Sequence, residues 1–395
     1  MTGSSIGVAV IGAGMAGRSH AAGYRTAPTL YDEGLPEVRL VAIADVNQAF
    51  ASDTARRYGY ERAENDWRAL AEAPDVDVVS VVVANFLHRE IVEGLLAAGK
   101  HVLCEKPLAP GVEDAEAMVA AAAAAAGDGV QSACGFTFRR SPSISAVRRL
   151  LAEGGIGEPR HFNGHYWCDY GVDPDGPMSW RYKGGPGSGA LSDIGSHLID
   201  LAEFVCGPIQ SVRGAALPTV IGERALPLGA AVGHAAAELS DKTEPVENED
   251  LVTFTAGFAS GATGTLSASR VAYGLANSLG FEVFTESGAA TFDLARAGEF
   301  GLIDATPAGP TQGYRQVLVG PAHPYLTRGM PMDFPGVGYG QNDLFSFQAR
   351  AFLEQVAGLD RLPRVASFAE GLRNIRLLDA VAASAKNGGA EVVVD

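Results

Sequence analysis

Apolar residues in the first third of the chain gather in short continuous runs, separated by stretches with helical periodicity. Residues 6–11, 38–44, 76–83, 101–104 and 131–136 read as strands. The run at 76–83 is almost entirely β-branched, as a strand buried on both faces requires. Between the runs, residues 48–58, 87–98 and 111–126 carry helix patterns, and Gly99 stands where the second of these needs a C-terminal stop. The third ends in seven alanines at 120–126, which are simply the best helix formers. Repeated strand–helix units of this kind predict an α/β fold with a doubly wound parallel sheet.

Beyond about residue 140 the pattern changes. A helix at 143–153 precedes a Gly/Pro-rich stretch at 171–189, and another helix opens near Asp193. From residue 210 onward apolar and polar positions alternate with period two, at 251–257, 262–269, 281–286 and 289–293. These predict an antiparallel sheet with one face on the core, and Glu286-Ser287-Gly288-Ala289 marks a hairpin turn. The acidic stretch 223–249 reads as a loop. Helices at 342–357 and 367–387 end the chain, placed to pack back against the first domain. The expected organisation is therefore α/β followed by α+β, with domains at 1–137 and 138–395.

The chain has 395 residues, enough for two domains. A net charge of −16 with no run of Lys or Arg argues against nucleic acid or an anionic membrane as partner. No stretch is long and apolar enough to span a bilayer. The four cysteines, Cys104, Cys134, Cys168 and Cys206, are widely spaced and form no zinc-like pair, which fits buried thiols in a cytoplasmic protein. No metal site is expected.

Three local patterns carry chemistry. Gly12-Ala13-Gly14-Met15-Ala16-Gly17 follows the first strand and opens a helix, and Asp45 ends the second strand. That context turns a common GxGxxG into a dinucleotide fingerprint, the mark of a Rossmann domain. Gly12 permits the turn, Gly14 lets the backbone approach a pyrophosphate, and Gly17 lets helix and strand pack closely. The N–H groups at Met15, Ala16 and Gly17 then face phosphate oxygens. Asp45 suits the adenosine ribose diol, and Val46-Asn47 offer no cation to a 2′-phosphate, so NAD is favoured over NADP.

Lys106, in Glu105-Lys106-Pro107, ends a strand at the edge where such sheets bind ligands. It suits holding a substrate hydroxyl while negative charge develops on its oxygen. Asp193 and His197 lie four apart on a helix, where a carboxylate can orient an imidazole that acts as base. On residues alone, a helix cap and a half-buried histidine are the better explanation of that pair. Asn85 and His88 follow the strand ending at Val83 and are candidates for nicotinamide or ribose contacts, or for capping the next helix. Trp180, Arg181 and Tyr182 offer a stacking surface and a hydrogen-bonding fork, a combination suited to sugars. His161 and His165 share a strand face as outward polar positions.

These motifs, together with Gly189-Ala190-Leu191-Ser192-Asp193-Ile194-Gly195-Ser196-His197, resemble the glucose–fructose oxidoreductase/inositol dehydrogenase (Gfo/Idh/MocA) family over essentially the whole chain. The resemblance implies a second domain with a large open antiparallel sheet, through which subunits pair as homodimers or homotetramers. It implies that Lys106, Asp193 and His197 are catalytic, with Lys106 and His197 exchangeable as base, and that Lys106-Pro107 is a cis bond. It places Glu105 with the cofactor residues and Phe138, Arg139, Trp180 and Arg181 with the substrate residues.

Asp173-Pro174, Ser179-Trp180-Arg181, Gly320-Pro321-Ala322-His323-Pro324-Tyr325 and Gly336-Val337-Gly338-Tyr339-Gly340 are similar to the family's sugar 3-dehydrogenases. They imply NAD-dependent oxidation of a pyranose hydroxyl at C3. Two positions depart from the pattern: Ala84-Asn85 stands for Pro-Asn, and Phe138 for Tyr. The other readings are a cyclic polyol dehydrogenase such as one for myo-inositol, an enzyme that retains NAD through transient oxidation, and a non-catalytic dinucleotide-binding protein.

Overall fold

The computed structural model describes residues 5–32, 34–185, 187–229, 238–304, 313–326, 330–359 and 361–394. The chain forms two compact units. One comprises Met1–Pro142 with Gly320–Arg373, the other Ser143–Val319 with Asn374–Asp395.

The first unit opens with β1 (Ser5–Ile11), α1 (Met15–Thr26), β2 (Glu37–Ala44) and α2 (Gln48–Tyr58). It continues through β3 (Arg62–Glu64), α3 (Arg68–Glu72), β4 (Val78–Val81), α4 (His88–Ala97), β5 (His101–Glu105), α5 (Val112–Ala126) and β6 (Ser132–Gly135). The six strands form one sheet in the order β3-β2-β1-β4-β5-β6, all neighbours parallel. Strand order reverses at β1/β4, and such switch points open a crevice at the carboxyl ends of the strands. The β-branched run expected at 76–83 contracts to β4, whose four residues are all buried. The short β3 was not anticipated: its three residues carry no apolar alternation and are held by pairing with β2.

The second unit holds α6 (Pro142–Ala152), β7 (Pro159–Trp167), α7 (Ser196–Cys206) and β8 (Ile209–Ala216). Next come β9 (Glu223–Pro227), β10 (Leu239–Pro245), β11 (Leu251–Phe258), β12 (Thr263–Ser269), β13 (Ser278–Thr285), β14 (Ala289–Asp293), β15 (Glu299–Ile303) and β16 (Arg315–Leu318). Nine strands form a sheet in the order β16-β15-β14-β13-β7-β12-β11-β8-β17, the last being Val392–Val393 near the end of the chain. The sheet is mixed. β7, its centre, runs antiparallel to β13 but parallel to β12, a pairing no local pattern reveals. Alternate residues of β11 and β12 are buried, and α7 packs on β7 and β12. A Cβ at Gly164 would stand 2.9 Å from Leu198 Cδ1, so the missing side chain seats the helix on the sheet.

The stretch 223–249 is not simply a loop. β9 and β10 pair as a two-stranded antiparallel ribbon, and residues 230–237 lie outside the described residues. Its strands are too polar to show an apolar alternation.

Two long helices close the chain, α8 (Gln341–Ala357) and α9 (Phe368–Lys386). Within the first unit α8 packs on α1, closely enough that a Cβ at Gly23 would lie 2.9 Å from Phe345 O. Buried Arg350 secures it, donating to Glu354 Oε1 at 2.8 Å and to Ala27 O at 3.2 Å. The division between the units falls within α9. Among the described residues no helix is long and apolar enough to cross a membrane, and all four cysteines are buried thiols outside any disulfide.

Candidate active site

In the first unit the expected cofactor residues gather at the carboxyl edge of the sheet. Gly12 takes φ +101, and its N–H donates to Ala44 O at 2.7 Å, tying the turn to the end of β2. A Cβ at Gly12 would meet Val82 O at 2.0 Å, and one at Gly17 would meet Gly12 O at 1.8 Å. At Gly14 a Cβ would meet nothing within 4 Å. Gly14 is therefore open for an outside molecule, whereas Gly12 and Gly17 are closed by the protein itself. Gly14 caps α1 without a side-chain bond, leaving the first N–H groups of the helix, from Met15, Ala16 and Gly17, to an external acceptor.

Asp45 is fixed by two main-chain donors. Its Oδ2 accepts from Ala13 N and its Oδ1 from Asn47 N, both at 2.8 Å. Met15, Val46 and Phe86, following β1, β2 and β4, are 65%, 95% and 64% exposed. Apolar side chains left open at three adjacent strand ends suit flat heterocycles, and Phe86 was not singled out from sequence. A glycine cradle, a bare helix start, an acid just beyond β2 and exposed apolar rims together fit NAD.

Lys106 directly follows β5, half-buried, and its bond to Pro107 is cis. Three neighbouring residues expected to touch cofactor or substrate are buried in the structure. Glu105, expected to touch the cofactor, is buried; its Oε1 faces His20 Nε2 at 2.8 Å and its Oε2 accepts from Lys106 N at 3.1 Å. His88, also expected there, is 1% exposed, with Nδ1 and Nε2 each 3.1 Å from the carbonyl oxygens of Leu108 and Val83. It braces the end of β4 against the segment after Pro107. Burial pulls its imidazole below the usual histidine range, partly offset by those carbonyls. Phe138, expected to touch substrate, is a core residue at 2% exposure in the turn Thr137–Arg140. Arg139, in the same turn, pairs with Glu370 and stands 5.4 Å from the Phe136 ring. Asn85 is buried at the start of the turn Asn85–Leu87, directly beyond β4.

In the second unit, Asp193 lies in a π-helical turn, Leu191–Gly195, that runs into α7. The regular α-helix expected from Asp193 to Asp200 therefore begins only at Ser196. Single π turns recur at functional sites, where they re-aim side chains. The Glu249 carboxylate accepts from Leu191 N at 2.8 Å, and a Cβ at Gly189 would lie 2.1 Å from its Oε1. Burial raises the Glu249 carboxyl.

Asp193 Oδ2 accepts from Tyr170 OH at 2.7 Å. Burial, and then the Asp193 charge, push the Tyr170 phenol well above its ordinary range, so it remains a donor. His197 is half-buried, its ring 5.9 Å from that of Tyr166. Tyr170 was missed from sequence because a lone tyrosine 23 residues from Asp193 carries no signal.

Trp180 is 49% exposed and carries the Arg181 guanidinium over its ring at 4.5 Å. Arg181 Nε is buried without a hydrogen-bond partner among the described residues. The turn bearing both is clamped from beneath. Arg224 and Arg270 lie 4.0 and 4.5 Å from the Tyr182 ring. Arg224 donates to Gly171 O at 2.5 Å and Asp173 O at 2.7 Å. Arg270 binds Asp250 at 2.8 Å and Arg181 O at 3.0 Å. His161 stacks on Phe284 and His165 on Trp167. Among the described residues no group of three metal-ligating side chains occurs.

Fold and site define an NAD-binding oxidoreductase. Residues 6–131 match the family model "Oxidoreductase family, NAD-binding Rossmann fold", and residues 144–291 match the "GFO/IDH/MocA C-terminal domain". The chain belongs to the Gfo/Idh/MocA family. It is 36% identical over 386 residues to levoglucosan dehydrogenase of Pseudarthrobacter phenanthrenivorans, covering 96% of each chain. A solved levoglucosan dehydrogenase in complex with NADH and levoglucosan superposes with a TM-score of 0.88 at 33% identity, over 99% of both chains. A dTDP-3,4-didehydro-2,6-dideoxy-alpha-D-glucose 3-reductase of Actinomadura kijaniata is 36% identical over 204 residues, 52% of this chain and 58% of that protein.

Proposed function

We propose that the protein is a sugar dehydrogenase that oxidises a secondary hydroxyl, at C3, of a pyranose, anhydrosugar or glycoside to the keto sugar with NAD. The observation that carries this reading is the likeness to levoglucosan dehydrogenase over 96% of both chains. The name of the Actinomadura 3-reductase supports chemistry at C3.

NAD, when bound, supplies the hydride acceptor. Lys106 holds the reacting oxygen and stabilises the charge that develops there. His197 takes the hydroxyl proton, and Asp193 keeps its imidazole oriented and favours the protonated ring. Tyr170, through its bond to Asp193 Oδ2, fixes that carboxylate. Trp180 offers an exposed indole for a sugar ring to stack on, and Arg181 a buried Nε for a sugar oxygen. Gly12, Gly14, Met15, Ala16, Gly17 and Asp45 bind the dinucleotide, with Asn85 toward its nicotinamide end. Copies of the chain pair through the large sheet of the second unit as homodimers or homotetramers.

NADH absorbance with levoglucosan, glucose, methyl glucosides, xylose and myo-inositol tests this reading. A sugar or glycoside gives NADH, and Lys106→Ala lowers kcat by roughly 10²–10⁴-fold while NAD still binds. Turnover with myo-inositol alone, or normal turnover in the variant, contradicts it.

A further inference from the structure

Behind Lys106 lies a chain of buried polar side chains from α1, β4 and β5 to which the reaction as described gives no role. Tyr24 OH lies 2.9 Å from Ser80 Oγ, and Ser80 Oγ 3.1 Å from His20 Nδ1. His20 Nε2 lies 2.8 Å from Glu105 Oε1, and Glu105 Oε2 accepts the N–H of Lys106 at 3.1 Å. All four side chains are buried, Ser80 and Tyr24 completely.

One assignment of protons satisfies every member with a neutral imidazole. Tyr24 donates to Ser80, Ser80 donates to Nδ1, and Nε2–H donates to Glu105. Burial raises the Tyr24 phenol, which keeps it a donor.

The surroundings are shaped around this chain. A Cβ at Gly135 would stand 2.7 Å from Glu105 Oε1, so the glycine on β6 leaves room for the carboxylate. Phe345 of α8 meets the His20 ring edge-on at 5.2 Å. A buried carboxylate is costly unless its oxygens are satisfied. Here one oxygen is held by His20 and the other holds the main chain of Lys106.

We infer that His20 is a positioning residue for the reacting lysine. Through Glu105 it fixes the backbone from which the Lys106 side chain extends. The inference rests on the reading of Lys106 as a catalytic residue. His20 lies 85 residues from Glu105 in sequence and one turn beyond the glycine fingerprint, so one helix serves both the dinucleotide phosphates and the lysine.

The test uses His20→Phe, which keeps a ring against Phe345 but removes both nitrogens, and His20→Gln, which keeps a donor and an acceptor. Steady-state kinetics, the pH profile of kcat, NAD affinity and thermal stability are measured for both, with Lys106→Ala alongside. His20→Phe lowers kcat by about tenfold or more and shifts the pH profile, with sugar KM and NAD affinity changed by no more than about threefold. His20→Gln recovers most of the lost rate.

The inference is overturned by a wild-type kcat in folded His20→Phe. It is also overturned if Gln is no better than Phe and the loss follows thermal stability. Where His20→Phe does not fold, Ser80→Ala carries the test: a several-fold fall in kcat supports the inference and an unchanged kcat overturns it. Normal turnover in Lys106→Ala removes the reading of the lysine itself. Loss of activity there with an unaffected His20→Phe removes only the role of His20.

Discussion

A Cβ on Gly17 would stand 1.8 Å from the carbonyl oxygen of Gly12, so α1 and the turn after β1 touch backbone to backbone. Gly14 shares the same loop but has an ordinary φ of −70 and open space around it. The glycines therefore separate by experiment. Gly17→Ala destabilises the fold by more than about 2 kcal/mol. Gly14→Ala changes stability by under about 1 kcal/mol yet weakens NAD binding about tenfold or more. Chemical denaturation and NAD titration of the two variants check this. Equal loss of stability in both would contradict the assignment of Gly14 to the pyrophosphate.

Asp45, held by the N–H groups of Ala13 and Asn47, is the residue we propose for the adenosine ribose diol. Replacing Asp45 by Ser and Val46 by Arg removes a repulsive charge and adds a cation. The double variant loses about tenfold in NAD affinity and gains measurable turnover with NADP. Unchanged preference between the two cofactors would remove Asp45 from the ribose site.

Most of the first unit and its glycine fingerprint can be read in the sequence because they rest on local order: one apolar run, one turn, one helix. Asp45 follows from its place at the end of β2. The pairing of His20 with Glu105 depends on strand order and on the face of α1, which no local pattern encodes. The burial of Phe138 and the inward turn of His88 likewise belong to packing. The π-helical turn at Leu191–Gly195 spans only one residue more per hydrogen bond than an α-helix, too little to leave a mark on hydrophobic spacing. The β9–β10 ribbon escaped because its strands are short and show no strict alternation of buried and exposed positions.

The Tyr170 phenol donates to Asp193 Oδ2 at 2.7 Å. Tyr170→Phe keeps the ring and removes that donor. A hydrogen bond to a charged group contributes about 1.5–3 kcal/mol, so kcat/KM for the sugar falls roughly 10- to 100-fold. NAD affinity is unchanged. Wild-type kinetics in the variant would show that Asp193 needs no such support.

His88 and His101 are both held below the ordinary histidine range, chiefly by burial. In the unfolded chain they protonate near pH 6.5. As pH falls below that value the unfolded state takes up protons before the folded state does. Their contribution to stability is thus present above about pH 6.5 and lost as pH falls through the lowered folded values. Denaturation midpoints decrease from pH 7 to pH 5, and the decrease is smaller in His88→Gln, which still donates to a carbonyl but does not titrate. An identical slope in the variant would contradict the buried, neutral state of His88.

The central claim is hydride abstraction from C3 of a sugar, and isotopic substitution tests it most directly. Levoglucosan carrying deuterium only at C3 is turned over with NAD, and both the rate and the fate of the label are followed. The account predicts slower turnover than with unlabelled sugar and deuterium transferred to NADH. Deuterium retained in the keto product, with NADH unlabelled, would contradict it.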